Sequence, residues 1–186
     1  MHNKFPNYFT FINKCNKNYI RNLDKKIAII YRDYTKPYIE KEVLKIKKIC
    51  KENGRKLYLS NDLKLAVKLG LDGIYLPSFN KKLNILPNYN RKKFIIMGSA
   101  HTMKEIKIKE KQGVEMIFLA PLFKTKKNNN FLNPIKFNYL ASKTSKKVIA
   151  LGGITSKNLN RLKTVKAFGF AGISYFDKND KIKIKK

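Results

Sequence analysis

LSNDLKLAVKLGLDGIYLP, residues 59–77, decides the fold. Leu63, Ala66 and Val67 recur at helical spacing, Gly70 stops the run, and a short apolar strand, GIYLP (73–77), follows. The same unit recurs around three other glycines. Gly54 precedes KLYLS (56–60), Gly113 precedes MIFLA (116–120), and Gly169 precedes AGISYF (171–176). Helix-then-strand repetition is the signature of a parallel sheet with crossover helices. In such folds the residues just past each strand carry the chemistry.

Working outward, four further apolar runs complete a set of eight strands: YFTFI (8–12), IAIIY (27–31), FIIMGS (94–99) and VIALG (148–152). Most are continuous rather than alternating, as strands buried on both faces are. The segments between them have helical period. Ile39, Val43, Ile46 and Ile49 form one stripe before Gly54, and Leu159, Leu162 and Val165 form another before Gly169. Thr102 with Glu105 makes a capping box, and Thr155 or Ser156 caps the helix that follows. Eight strands with intervening helices predict an α/β protein, a closed (β/α)8 TIM barrel. At 186 residues it is short for a fold that typically runs to ~250. The shortage falls on the first and last helices, because residues 13–26 and the basic tail 177–186 leave little room. Residues 78–93 and 124–133 read as loops, and no linker divides the chain, so residues 1–186 are expected to form one domain.

Composition narrows the function. Hydrophobic content of 43% is ordinary for a globular domain. No apolar run approaches the ~20 residues that span a bilayer, and the N-terminal MHNKFPNYFTFINK lacks the pattern of a signal peptide. Cys15 and Cys50 match no metal spacing and read as free thiols of a cytoplasmic protein. The 42 Lys and Arg against 12 Asp and Glu give a net charge of +30. They are spread along the whole chain among Asn, Ile, Tyr and Phe, the set that an A/T-rich coding sequence favours. No stripe of basic and aromatic residues and no nucleic-acid module is legible, so no specific nucleic-acid partner is expected. Phosphorylated small molecules fit the same charge.

The residues past the strands form a polar set. Gly152-Gly153, between a strand and a helix start, can cradle a phosphate on backbone amides or simply make a tight turn. Asp62 beside Asn61 offers a hard oxygen ligand to Mg²⁺, or caps the helix that begins with Leu63. His101, two residues past its strand, can do acid–base work or serve as a structural donor. Arg32 ends an apolar strand and needs an anion, either a phosphate or a local carboxylate such as Asp33 or Asp62.

Taken together, LSNDLKLAVKLGLDGIYLP, GSAHTMKEIKIKEKQGVEMIFLAPLFKT and VIALGGITSKNL resemble the thiamine phosphate synthase/TenI family over roughly residues 8–177. The resemblance implies a transferase of thiamine biosynthesis that joins hydroxymethylpyrimidine diphosphate to a thiazole phosphate, with Mg²⁺. It also implies residue roles. Arg32 and Asn61 would contact the diphosphate, and Asp62 would bind the metal. Ser99 would contact the pyrimidine and Thr125 the thiazole, while Gly153, with Gly152, would hold the thiazole phosphate. Asn80 falls where the family has a second metal-binding Asp, and Lys127 lies near the lysine expected just past Thr125.

The chain also departs from the family. The family's Gln-x-Arg-x-Lys strand end reads Ile30-Tyr31-Arg32-Asp33-Tyr34, without the Gln or the Lys. Asp177 stands where a small polar residue would help bind phosphate. TenI-type proteins share the fold and act as thiazole tautomerases, and the histidine they use matches His101. The synthase reading therefore leads, with a tautomerase or a non-catalytic phosphate-ligand binder as alternatives.

Overall fold

The computed structural model describes residues 5–35, 39–83, 94–126, 129–172 and 174–177. Eight strands run in chain order: β1 Tyr8–Ile12, β2 Ile27–Tyr31, β3 Leu57–Ser60, β4 Gly73–Leu76, β5 Ile95–Ala100, β6 Met116–Leu119, β7 Lys147–Leu151 and β8 Gly169–Gly172. Every neighbouring pair is parallel, and β8 returns to β1 through Tyr8↔Phe170, Phe9↔Ala171 and Thr10↔Gly172, which closes the barrel. The helices are α1 Lys17–Asn22, α2 Glu40–Glu52, α3 Leu63–Lys68, α4 Met103–Lys111, α5 Asn133–Ala141 and α6 Ser174–Asp177, with a 3-10 helix at Ser156–Thr164 between β7 and β8.

Two apolar cores follow from strand alternation. One contains Phe9, Phe11, Ile30, Tyr58, Tyr75, Met97, Met116, Phe118 and Ile149 and holds no helix residue, so it fills the barrel. Its upper part is aromatic: Phe11 meets Tyr75 at 5.2 Å between centroids, and Tyr75 meets Phe118 at 5.2 Å, both edge to face. The other core joins the outward strand residues to the helices through Val43, Ile46, Ala66, Ile106 and Phe137.

The helix stops at Gly54, Gly70 and Gly113 are left-handed, as the repeat predicts. The fourth unit differs. Gly169 does not end a helix but begins β8, with its Cα so close to Asn7 that a Cβ would strike the Asn7 carbonyl. The strand therefore spans 169–172 rather than 171–176, and residues 174–177 turn into α6, where Phe176 stacks on Phe170 at 5.8 Å. The preceding helix is 3-10 and buries no residue fully, so the Leu159–Leu162–Val165 stripe gives only partial cover. The first helix is short, α1 having 6 residues, and α6 is described over Ser174–Asp177. The basic tail beyond Asp177 lies outside the described residues.

At the amino-terminal end of the strands, Arg55 is buried and donates to the carbonyls of Leu23, Asp24 and Ile27 at 2.6–2.8 Å. It ties α1 and β2 to β3 far from the polar mouth. Cys15 and Cys50 are free, and burial pushes the Cys50 thiol up to about 12, which makes it unreactive. Among the described residues no helix is long and apolar enough to cross a membrane.

Candidate active site

Because all eight strands are parallel, Arg32, Asn61, Asp62, Asn80, His101, Thr125, Gly152 and Gly153 all lie past carboxyl ends and share one end of the barrel. The floor beneath them is the Phe11–Tyr75–Phe118 cluster. Ser99, on β5, is 5% exposed and bonds the Tyr75 hydroxyl, so it is part of that floor rather than the rim. Burial pushes the Tyr75 phenol up to about 12, against the opposing pull of Ser99 and of the Arg32 charge. Tyr75 therefore stays neutral.

Arg32 is half-buried. Its amide donates to Ile12 O at 2.8 Å, and its guanidinium lies over the Phe11 ring, 4.7 Å from the centroid. Among the described residues no ion pair to Asp33 or Asp62 engages it, and a guanidinium in that position suits an anion. Two residues on, Tyr34 takes the place of the family's lysine. Its hydroxyl bonds Ser60 Oγ at 2.7 Å, and its ring meets Phe79 edge to face at 5.5 Å. Both rings are more than half exposed, so the β2–β4 side of the mouth carries an aromatic pair where a cation is expected.

Asn61 sits at φ 65, and its Oδ1 accepts from Asn80 Nδ2 at 2.7 Å. Asp62 is the N-cap of α3: its Oδ1 accepts from the Leu65 amide at 2.9 Å. Capping uses one carboxylate oxygen, and the exposed side chain keeps the other. Asn80 does not fit the metal role given to it. Its Oδ1 accepts from the Lys82 backbone N–H at 3.1 Å, which fixes the amide so that the nitrogen, not the oxygen, points at Asn61. Among the described residues no group of three His, Cys, Asp or Glu side chains could hold a metal. The donor set therefore fits a cation held by Asp62 and by a ligand's own oxygens, a mode common for Mg²⁺, and not a two-residue cage.

His101 Nδ1 lies 2.7 Å from Ala120 O, and its backbone N–H donates to Glu105 Oε2 at 2.6 Å. The carbonyl can only accept, so Nδ1 is the donor in this bond. Glu105 thus reaches one residue further back than a full capping box, while Thr102 still caps α4. Gly152 and Gly153 have φ of 95° and 68°. Among the described residues their amides have no hydrogen-bond acceptor, whereas the Gly152 carbonyl accepts from Phe123 and the Gly153 carbonyl from Asn158. A turn with its N–H groups unspent at the head of a helix is what a phosphate needs. Thr125 lies in the adjoining loop and is half-buried. Lys127 lies outside the described residues.

The family model described as thiamine monophosphate synthase matches residues 20–176. The chain belongs to that family. A provisionally named thiamine-phosphate synthase 2 of Aquifex aeolicus is 27% identical over 173 residues, covering 88% of this chain and 92% of that one. The thiamine-phosphate synthase of Pelotomaculum thermopropionicum is 28% identical over 137 residues, with 71% of this chain and 63% of the relative covered. Among solved structures, a thiamine phosphate pyrophosphorylase from Pyrococcus furiosus superposes with a TM-score of 0.73 at 20% identity, covering 92% of this chain and 87% of that one. That likeness carries the TIM-barrel fold. Family and relatives together make this chain a thiamine phosphate synthase-like transferase, and the tautomerase and binder alternatives are not favoured.

Proposed function

We propose that this chain joins hydroxymethylpyrimidine diphosphate to thiazole phosphate to give thiamine phosphate and pyrophosphate. The observation that carries the reading is the convergence of Arg32, Asn61, Asp62, His101 and the unspent amides of Gly152 and Gly153 at one barrel end. In the reaction the C–O bond between the pyrimidine methylene and the diphosphate breaks, and the electron pair leaves with the diphosphate oxygen. The thiazole nitrogen lone pair then forms the new C–N bond to the pyrimidine-stabilised cation. The site must hold the leaving diphosphate and align the two rings. Arg32 and Asn61 hold the diphosphate. Ser99, through Tyr75, shapes the floor under the pyrimidine. Gly152 and Gly153 bind the thiazole phosphate, with Thr125 in the adjoining loop, and Lys127 is the further cation assigned to that substrate. His101, held by Ala120 O through Nδ1, stands at the same end of the barrel. Mg²⁺, bound by Asp62 and the substrate's own oxygens, would offset the diphosphate charge. We place the protein in the cytoplasm as a single domain, without a specific nucleic-acid or membrane partner.

The test is turnover of the two substrates with and without Mg²⁺, with thiamine phosphate as the readout. Mg²⁺-dependent product is expected. Absence of product from folded protein, beside a working synthase, would reject the reading. Two variants separate the two jobs of Asp62. Asp62→Ala should lose turnover and about 1 kcal/mol of stability with the cap. Asp62→Asn keeps a capping oxygen, so it should melt like wild type yet lose Mg²⁺-dependent turnover. An Asn variant as active as the parent would remove Asp62 from the metal role.

A further inference from the structure

Beside Arg32, the ends of β1 and β2 enclose a cavity of about 460 Å³ whose wall includes Phe11, Asn13, Lys14 and Asn16. With 42 basic residues against 12 acidic ones, most cations of this chain lack a carboxylate, so an unpaired lysine alone carries no signal. Convergence is the signal here. The Arg32 guanidinium is oriented by the Phe11 ring at 4.7 Å. Lys14 sits on a loop tied down just after it: the Cys15 amide donates to Glu42 Oε1 at 2.6 Å, and Asn16 Oδ1 accepts from the Tyr19 amide at 3.0 Å. Neither Lys14 nor Arg32 has an ion-pair partner among the described residues. Two like charges lining one cavity repel unless an anion lies between them. A diphosphate, with charge on two phosphoryl groups, suits a pair of cations better than a single phosphate does.

We infer that Lys14 is the second cation of the diphosphate pocket and, with Arg32, brackets the leaving group from the β1 side. This rests on the synthase reading above. It supplies from the β1–α1 loop the charge that Tyr34 cannot supply at the end of β2. Loss of one charge-assisted contact should weaken binding about tenfold to a hundredfold.

The experiment compares wild type with Lys14→Ala, Lys14→Arg and Lys17→Ala. Lys17 opens α1, carries the same charge and does not line the cavity. Lys14→Ala should raise the KM for the diphosphate substrate and the inhibition constant of inorganic pyrophosphate at least tenfold. It should leave the KM for thiazole phosphate unchanged, and Lys14→Arg should restore most of the loss. A shift in the thiazole phosphate KM instead would assign the cavity to that phosphate and overturn the inference. So would a Lys14→Ala protein that matches Lys17→Ala. If wild type makes no thiamine phosphate, the synthase reading fails by itself. Calorimetry with inorganic pyrophosphate then still decides Lys14: weaker binding than Lys17→Ala supports it, and equal binding rejects it.

Discussion

Gly153→Ala is expected to cost both stability and turnover. The residue has φ of 68°, where an L side chain is strained by about 1–2 kcal/mol. A Cβ there would lie 2.5 Å from the carbonyl oxygens of Phe123 and Lys124. Both are backbone atoms and cannot swing aside, so the β6–α5 loop must move and take Thr125 with it. A total loss of about 2–4 kcal/mol follows, read as a drop in melting temperature. The same displacement re-aims the two amides at the phosphate, so turnover at fixed thiazole phosphate should fall about a hundredfold or more. The tight turn and the phosphate cradle are then separable. A lower melting temperature with an unchanged thiazole phosphate KM would leave Gly153 a packing residue only. An unchanged melting temperature would show that the loop does not press on the glycine at all.

The sequence made the architecture legible where strands are continuous apolar runs. YFTFI and IAIIY match β1 and β2 residue for residue, because burial on both faces leaves no ambiguity of period. The fourth repeat misled because Gly169 looks like a helix stop, whereas its role is close approach of backbone to Asn7. No local pattern distinguishes those two uses of glycine. At the site, Asp62 was legible as both cap and ligand, and the structure shows it capping α3. Asn80 failed as a ligand for a reason that no alignment position encodes: the Lys82 amide claims its oxygen. The surroundings of Tyr34, Phe79 and Lys14 are not legible in sequence because they come from loops that meet across strands. Tyr34 reaches Ser60 over 26 residues of sequence. Lys109 was missed for a simpler reason. A lysine on a helix reads as solvated, and nothing local in the sequence marks Gly98 as the place where its stem lies.

Lys109→Met should destabilise the protein by about 1–3 kcal/mol at neutral pH, and the deficit should grow as pH rises. Lys109 is fully buried, with its stem over Gly98, where a Cβ would strike Lys109 Cδ at 2.7 Å. Its ammonium donates to Pro77 O and Asn80 O at 2.8 Å and to Gln112 Oε1 at 2.9 Å. Gln112 in turn donates to Asn80 O at 3.0 Å and Lys82 O at 2.8 Å. This clamp fixes residues 77–82 and so holds the Asn80 amide on Asn61. Methionine keeps the stem but leaves Pro77 O and Gln112 Oε1 without their donor. Against that loss stands the cost of burying a cation with no carboxylate in its hydrogen-bond shell, and burial holds the ammonium down at about 8 from 10.5. The folded value lies below the unfolded one, so between pH 8 and 10.5 the unfolded chain binds more protons, and this group adds stability as pH rises. Methionine has no such proton. Urea unfolding of both proteins at pH 7 and 9.5 should therefore show a larger difference at the higher pH, after the shared effect of the other lysines cancels. A difference that shrinks with pH would mean that the ammonium form is the one the fold prefers, and that the clamp is an ion site rather than a hydrogen-bonded brace. Looser residues 77–82 should also raise the KM for the diphosphate substrate through Asn61, without altering the binding of thiazole phosphate.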